Sequence, residues 1–176
     1  MAMWPLYRVV FTNAVLNATK APLGMFEILY FLFENYYSGS EPPDPDILAV
    51  KLSAAGFDSD DIEYTVDWLK GLLTTEPLLT PTLLETSRGF RVFAPIEAEA
   101  ISAEVQGFLL FLEQSEVLTA SQRERVIERI TACQDTEMPL EKVKLIVLMV
   151  LWAEQQTPDD LWLTELLLPA DALPLQ

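Results

Sequence analysis

The sequence contains no histidine, and this absence excludes several common kinds of site. Histidine is the usual general base near neutral pH, the partner of catalytic serine or cysteine, and the commonest metal ligand. The single cysteine, Cys133, excludes an internal disulfide and a cysteine-rich zinc site, and it fits a reducing cytoplasm. We therefore expect a protein that is not an enzyme, with no catalytic, cofactor-binding or metal-binding residues and no cofactor. Cys133 is expected to be a small buried residue.

Glycine is scarce and long apolar runs are missing. The six glycines are too widely spaced to form a dinucleotide-binding or phosphate-binding loop. The longest apolar run, residues 145–153, has nine residues, whereas a membrane-spanning helix needs roughly 20. We expect this run to be a buried core helix, and we expect no membrane contact.

Basic residues are also few. The 176 residues include 11 Lys and Arg against 27 Asp and Glu, a net charge of −16, and 51% of them are hydrophobic, which is ample for a compact core. Residues 1–24 carry +2 and the remainder carries −18. An acidic body repels nucleic-acid phosphates and favours a basic protein partner.

The change in charge near residue 24 predicts an additional leader. Three interpretations are open: translation from an upstream start codon ahead of Met25, an arm that packs on the body, or a secretory signal, which Asn13 and Asn17 disfavour by interrupting the apolar stretch. The predicted organisation is a leader over 1–24, one helical subdomain over 25–94, another over 95–170, and a tail over 171–176.

Helix signals mark the first half of the body. Apolar spacing predicts a helix over residues 25–37. Asp44 followed by Pro45 predicts the start of a second helix that ends at Gly56, and Asp58 predicts the start of a third. The segment RGFRVF, residues 88–93, predicts a β-ribbon. The expected fold is mainly α: an N-terminal three-helix unit with a short β-ribbon, winged-helix-like in outline, packed on a C-terminal helical bundle.

The second half is predicted to be helical. An acidic stretch follows Pro95, Thr119 and Gln122 form a capping box, and Pro139 opens the most apolar helix. A cap signal at 157–160 predicts a final helix.

Basic residues suggest one candidate interaction surface: Arg88 and Arg91 on the ribbon, with Arg123, Arg125 and Arg129 on a helix. The helix arginines alternate with Glu124 and Glu128, a pattern more typical of a solvated, salt-bridged surface than of a nucleic-acid site. The third helix would be the recognition helix of a winged-helix protein. Its polar positions are mostly acidic, so we do not expect direct nucleic-acid binding.

Several blocks together resemble the Smg family of bacterial proteins: MFEILYFLFENYY from Met25, LSAAGFDSDDIEYTVDWLKGL, RGFRVF, GFLLFLEQSEVLTASQRERVIERI and LEKVKLIVLMVLW. The resemblance covers about residues 25–168 and supports Met25 as the family-like start. Where the family tends to have Arg before the GFLLF block, this chain has Gln106. The resemblance implies a cytoplasmic bacterial protein without assigned catalytic residues, often encoded beside a gene for a DNA-processing protein.

These observations predict a non-enzymatic cytoplasmic adaptor that docks a basic partner protein through an acidic surface with exposed aromatic residues, such as Tyr36, Tyr37 and Trp68. Two alternatives are open. The first is a winged-helix-like nucleic-acid-associated protein linked to DNA processing. The second is a nucleic-acid mimic that occupies the site of a DNA-binding protein.

Overall fold

The computed structural model describes residues 23–37, 43–74, 93–134 and 137–156, and over these residues the regular structure is helical. The helices are α1 (Leu23–Tyr36), α2 (Pro45–Ala55), α3 (Ser59–Thr74), α4 (Pro95–Ala100), α5 (Ala103–Gln114), α6 (Ala120–Ala132) and α7 (Leu140–Ala153). The prediction of a mainly α protein is confirmed.

The prediction of a winged-helix-like unit with a β-ribbon is wrong, because the described residues form seven helices and no strand. Phe93, the last residue of the predicted ribbon, packs against the helical core without regular structure. The remaining ribbon residues, 88–92, lie outside the described residues. Helix α1 packs on α7, and α3 packs on α6 and α7, so in the described residues the N-terminal helices are covered by other helices.

Local sequence signals set the helix ends in several places. The Asp44 carboxylate accepts a hydrogen bond of 2.9 Å from the backbone N–H of Asp46 at the start of α2. Gly56 ends α2 with a φ of 93°, a conformation that glycine adopts without strain. The capping box of α6 is confirmed, since Thr119 and Gln122 exchange side-chain to backbone hydrogen bonds.

Two boundaries differ from the prediction. Helix α1 begins at Leu23, so Gly24 lies in its first turn. A Cβ at Gly24 would lie 2.0 Å from Asp61 Oδ2. The missing side chain therefore allows α3 to approach α1. The stretch after Pro95 forms two helices instead of one, because Ser102 starts α5 and its Oγ accepts a hydrogen bond from the N–H of Val105.

Helix α7 is the centre of the core, as its sequence predicts. Every residue from 142 to 152 is buried, and α1, α3, α5 and α6 all contact the helix. None of the helices in the described ranges has both the length and the apolar character required to cross a membrane. The leader up to residue 22, the predicted final helix and the tail lie outside the described residues.

Candidate interaction surface

The structure places the three predicted helix arginines in intramolecular ion pairs on α6. Arg123 pairs with Glu113 of α5 and with Glu124, where the Nη2–Oε1 distance is 2.8 Å. Arg125 Nη1 lies 3.2 Å from Glu154 Oε1. Arg88 and Arg91 lie outside the described residues. Because each described arginine already faces a carboxylate, α6 has no cluster of unpaired cations to offer a phosphate backbone.

Arg129, of which only 8% is exposed, also makes contacts with the backbone of another helix. Its Nε donates a 2.6 Å hydrogen bond to Glu128, and its Nη1 donates a 2.9 Å hydrogen bond to the backbone carbonyl of Trp68 on α3. The Trp68 indole N–H in turn donates to the carbonyl of Arg129 at 3.1 Å. Arg129 therefore joins α6 to α3 and faces the interior of the protein.

The aromatic residues predicted to lie on the surface do not form an exposed patch. Trp68 is 5% exposed and belongs to the core, so its predicted exposure is wrong. Tyr36 and Tyr37 are half-buried. Tyr37 packs against Phe33 at 4.3 Å and Trp152 at 6.4 Å between ring centroids, and burial raises the pKa of its hydroxyl.

A small apolar pocket, with a volume of about 10 Å³, lies between α1, α2, α3 and α7. It is lined by Leu32, Pro43, Pro45, Leu48, Leu69, Leu72, Leu73, Met149, Trp152 and Ala153. Small-molecule sites combine an apolar wall with a few polar groups that orient the ligand. The residues lining this pocket supply no polar side chain. Among the described residues there is likewise no group of three or more acidic, histidine or cysteine side chains that could hold a metal ion.

The exposed carboxylates of α3 form a line, which we call the acidic stripe: Asp60, Glu63 and Asp67. Their spacing of three and four residues places them on one face of the helix. Each is exposed, and none forms an ion pair with another described residue. Like charges at this spacing destabilise a helix by a few tenths of a kcal/mol per pair, so the spacing of the three carboxylates does not stabilise α3.

Capping explains only part of this acidity. The Asp58 carboxylate accepts a 2.9 Å hydrogen bond from the N–H of Asp60, and Asp60 lies in the first turn, where negative charge favours the helix. Glu63 and Asp67 lie beyond the first turn, so neither role applies to them. Asp61 faces inward beside α1, and burial, together with repulsion from Asp58 and Asp60, raises the pKa of its carboxyl.

The exposed face of α2 carries a second line, which we call the apolar stripe: Ile47, Val50 and Ala54. Ile47 is 56% exposed and Val50 is 71% exposed. At about 100° per residue, the three positions fall within about 60° around the helix axis. Leu48 and Leu52 lie on the opposite face and are buried. The apolar stripe therefore points to solvent.

The two stripes lie on neighbouring helices. Helices α2 and α3 pack against each other and are joined by a short turn over residues 56–58. At the far end of the pair, Lys70 Nζ lies 3.3 Å from Asp46 Oδ1. The two helices are therefore packed against each other and run in opposite directions. We call the surface formed by both stripes the α2–α3 face.

The sequence analysis predicted the helix but did not single out Ile47 or Val50 as exposed. A signal was present, since Ile47 and Val50 cannot share a helix face with Leu48 and Leu52 at about 100° per residue. Apolar residues on both faces of a short helix indicate a second apolar contact surface.

Sequence comparison shows which proteins this chain is similar to. The model of a family described as "Protein of unknown function (DUF494)" matches residues 25–175. A "Protein Smg homolog" of Bordetella petrii is 43% identical over 143 residues, which cover 81% of this chain and 94% of that protein. Proteins of the same name from Azoarcus sp. and Methylobacillus flagellatus are 41% and 38% identical, over 81% and 80% of this chain and 92% and 93% of their own lengths. No solved structure matches the chain.

Proposed function

This chain belongs to the Smg family, whose description names no activity. From the surface of the protein, we propose that it is a non-enzymatic cytoplasmic protein that docks a basic partner protein through the α2–α3 face. One observation carries the proposal. The acidic stripe has no ion pair among the described residues, whereas the arginines of α6 are paired within the chain.

The charge of this region supports a basic partner. Residues 43–74 contain seven carboxylates and two lysines, a net charge of −5. One of those lysines, Lys70, already faces Asp46. A surface of one sign steers an oppositely charged protein towards it, and the attraction weakens as salt shortens the Debye length from about 10 Å at 0.1 M to about 3 Å at 1 M.

Nucleic-acid binding has no comparable support. The described arginines that would contact phosphates are held by Glu113, Glu124, Glu128 and Glu154. Counterion release, which drives such binding, needs cations that are available to the phosphates. Nucleic-acid mimicry is a special case of the proposal, in which the basic partner is itself a DNA-binding protein.

The test uses the full chain as bait in cell extract, with crosslinking and mass spectrometry. The triple variant Asp60→Asn, Glu63→Gln and Asp67→Asn neutralises the acidic stripe. The matched control, Glu27→Gln, Glu99→Gln and Glu104→Gln, removes three exposed carboxylates elsewhere on the described surface. We expect one reproducible partner that the wild type and the control retain at about 50 mM salt and lose at about 500 mM.

The acidic-stripe variant should lose that partner at both salt concentrations. Loss from the stripe variant and the control alike would indicate non-specific charge attraction, and so would contradict the proposal. Failure to retain any protein at low salt would contradict it as well. Displacement of the captured partner by added DNA would identify the partner as a DNA-binding protein, as mimicry predicts.

A further inference from the structure

The apolar stripe adds information about the partner that charge alone does not give. Exposed apolar residues scattered singly are normal on protein surfaces. Ile47 and Val50, in contrast, lie one turn apart on the same line, and Ala54 continues the line by one more turn. A strip of this kind matches a partner that presents its own line of apolar side chains.

Charged residues border the apolar stripe differently on its two sides. Towards α1 lies Lys51, whose Nζ is 5.0 Å from the centroid of the Tyr36 ring. Towards α3 lies Asp46, which contacts Lys70, and the exposed face of α3 carries the acidic stripe. The surface therefore carries positive charge on one side of the apolar stripe and an excess of negative charge on the other.

The two stripes also agree in length and register. Each spans eight residues from end to end, and the seven steps between them cover about 10 Å, or two turns. Because α2 and α3 are joined by the turn at 56–58 and meet again at Asp46 and Lys70, Ala54 and Asp60 both lie near the turn, and Ile47 and Asp67 both lie near the other end of the pair. An apolar line and an acidic line of equal length thus run together across the α2–α3 face.

We propose that the α2–α3 face binds one amphipathic basic helix of a partner protein. The apolar residues of that helix, spaced three or four apart, cover the apolar stripe, and Lys or Arg residues along one flank face the acidic stripe. This inference rests on the proposed function and names its partner class. A second copy of the chain does not fit, because symmetric pairing through this face would bring two surfaces of charge −5 together.

The experiment uses two synthetic 18-residue peptides of identical leucine, lysine and alanine composition as probes. In the first peptide, leucine lies on one helical face with lysine along its flank; in the second, the order is scrambled so that no face forms. Fluorescence anisotropy at about 50 mM salt measures binding to the full chain. We expect the amphipathic peptide to bind roughly tenfold more tightly than the scrambled one, since it buries Ile47 and Val50.

The double variant Ile47→Ser and Val50→Ser should abolish this tenfold preference, while both peptides keep the weaker, salt-sensitive binding. Both substitutions lie at exposed positions and should leave the circular dichroism spectrum unchanged. Phe111→Ser, at a position of α5 that is 49% exposed, is the matched control and should keep the preference.

Two results would overturn the inference and leave the proposed function standing. The first is equal binding of both peptides to the wild type, which would mean that charge alone acts. The second is an unchanged preference in the Ile47 and Val50 double variant, which would place the peptide elsewhere. Absence of any binding by either peptide would contradict the inference and the proposed function together.

Discussion

Arg129 illustrates how a charged residue becomes part of the core. Its guanidinium supplies donors in a planar fork, which suits simultaneous contact with a carboxylate and a carbonyl. Here the fork divides between Glu128 and the backbone of Trp68, and the Trp68 ring lies 5.7 Å from the guanidinium carbon. The guanidinium thereby serves both hydrogen bonding and contact with an aromatic ring.

Replacing Arg129 with Lys should lower the free energy of unfolding by about 1.5–3 kcal/mol, the usual contribution of hydrogen bonds to charged groups. A single ammonium group cannot keep both the Glu128 and the Trp68 contacts. Urea unfolding monitored by circular dichroism measures the change. Arg125→Lys, which alters the more exposed pair with Glu154, should cost under about 1 kcal/mol. Equal losses in the two variants would show that the Trp68 contact contributes nothing.

Sequence patterns do not reveal which charged residues are buried. The alternation of Arg and Glu in α6 predicted a solvated surface, and the ion pairs it implied are present. The burial of Arg123 and Arg129, each 8% exposed, depends on α5 and α3, which are distant in the chain. Lys142 is similar, since it is 1% exposed with Nζ 4.4 Å from the centroid of the Phe26 ring of α1. Only the tertiary arrangement brings these groups together.

At the scale of elements, two glycines have opposite surroundings. A Cβ on Gly71 of α3 would lie 2.2 Å from Arg129 Nη1, whereas a Cβ on Gly107 of α5 would meet no described atom within 4 Å. Both glycines lie inside helices, where alanine is favoured by roughly 0.5–1 kcal/mol. Alanine at Gly107 therefore changes stability through helix propensity alone, whereas alanine at Gly71 also disturbs a contact with another helix.

The variant Gly107→Ala should raise the free energy of unfolding by about 0.5–1 kcal/mol. Gly71→Ala should lower it by roughly 1–2 kcal/mol, because the methyl group displaces Arg129 from the Trp68 carbonyl and that loss exceeds the gain in propensity. Denaturant unfolding of both variants under identical conditions tests the opposite signs. A stabilised Gly71→Ala variant would mean that Arg129 moves aside without loss.

The ends of helices could be predicted from the sequence where capping residues mark them. Asp44, Gly56 and Thr119 act within a few residues of the helix ends they set, and the structure confirms all three. The break at Ser102 between α4 and α5 was missed, although Ser102 is a normal N-cap residue, because acidic and apolar residues on both sides favour helix equally. The expected β-ribbon was wrong, since the described residues are helical, and the short pattern of residues 88–93 carries no information about the packing of α6 and α7 on the N-terminal helices.

At the scale of the whole molecule, the predicted subdomains share one hydrophobic core. Apolar residues of α1, α2 and α3 belong to the same buried cluster as those of α5, α6 and α7. Helix α7 contacts α1 and α3 directly, and the Arg129–Trp68 contact links α6 to α3. The candidate interaction surface, in contrast, lies wholly on α2 and α3. The chain thus uses its C-terminal helices to support a surface that its N-terminal helices carry.

This shared core predicts that the N-terminal helices do not fold without α7. A fragment ending at residue 94 keeps α1–α3 but exposes the apolar faces that α6 and α7 cover, and domains of about 60–70 residues have little stability to spare. We expect this fragment to show no cooperative urea transition by far-UV circular dichroism. In the full chain, the labelling of buried Cys133 on the α6 side should follow the same midpoint as the loss of helix signal. A cooperative transition in the fragment, or two separate midpoints in the full chain, would instead establish independent folding units, and the α2–α3 face could then be studied on the fragment alone.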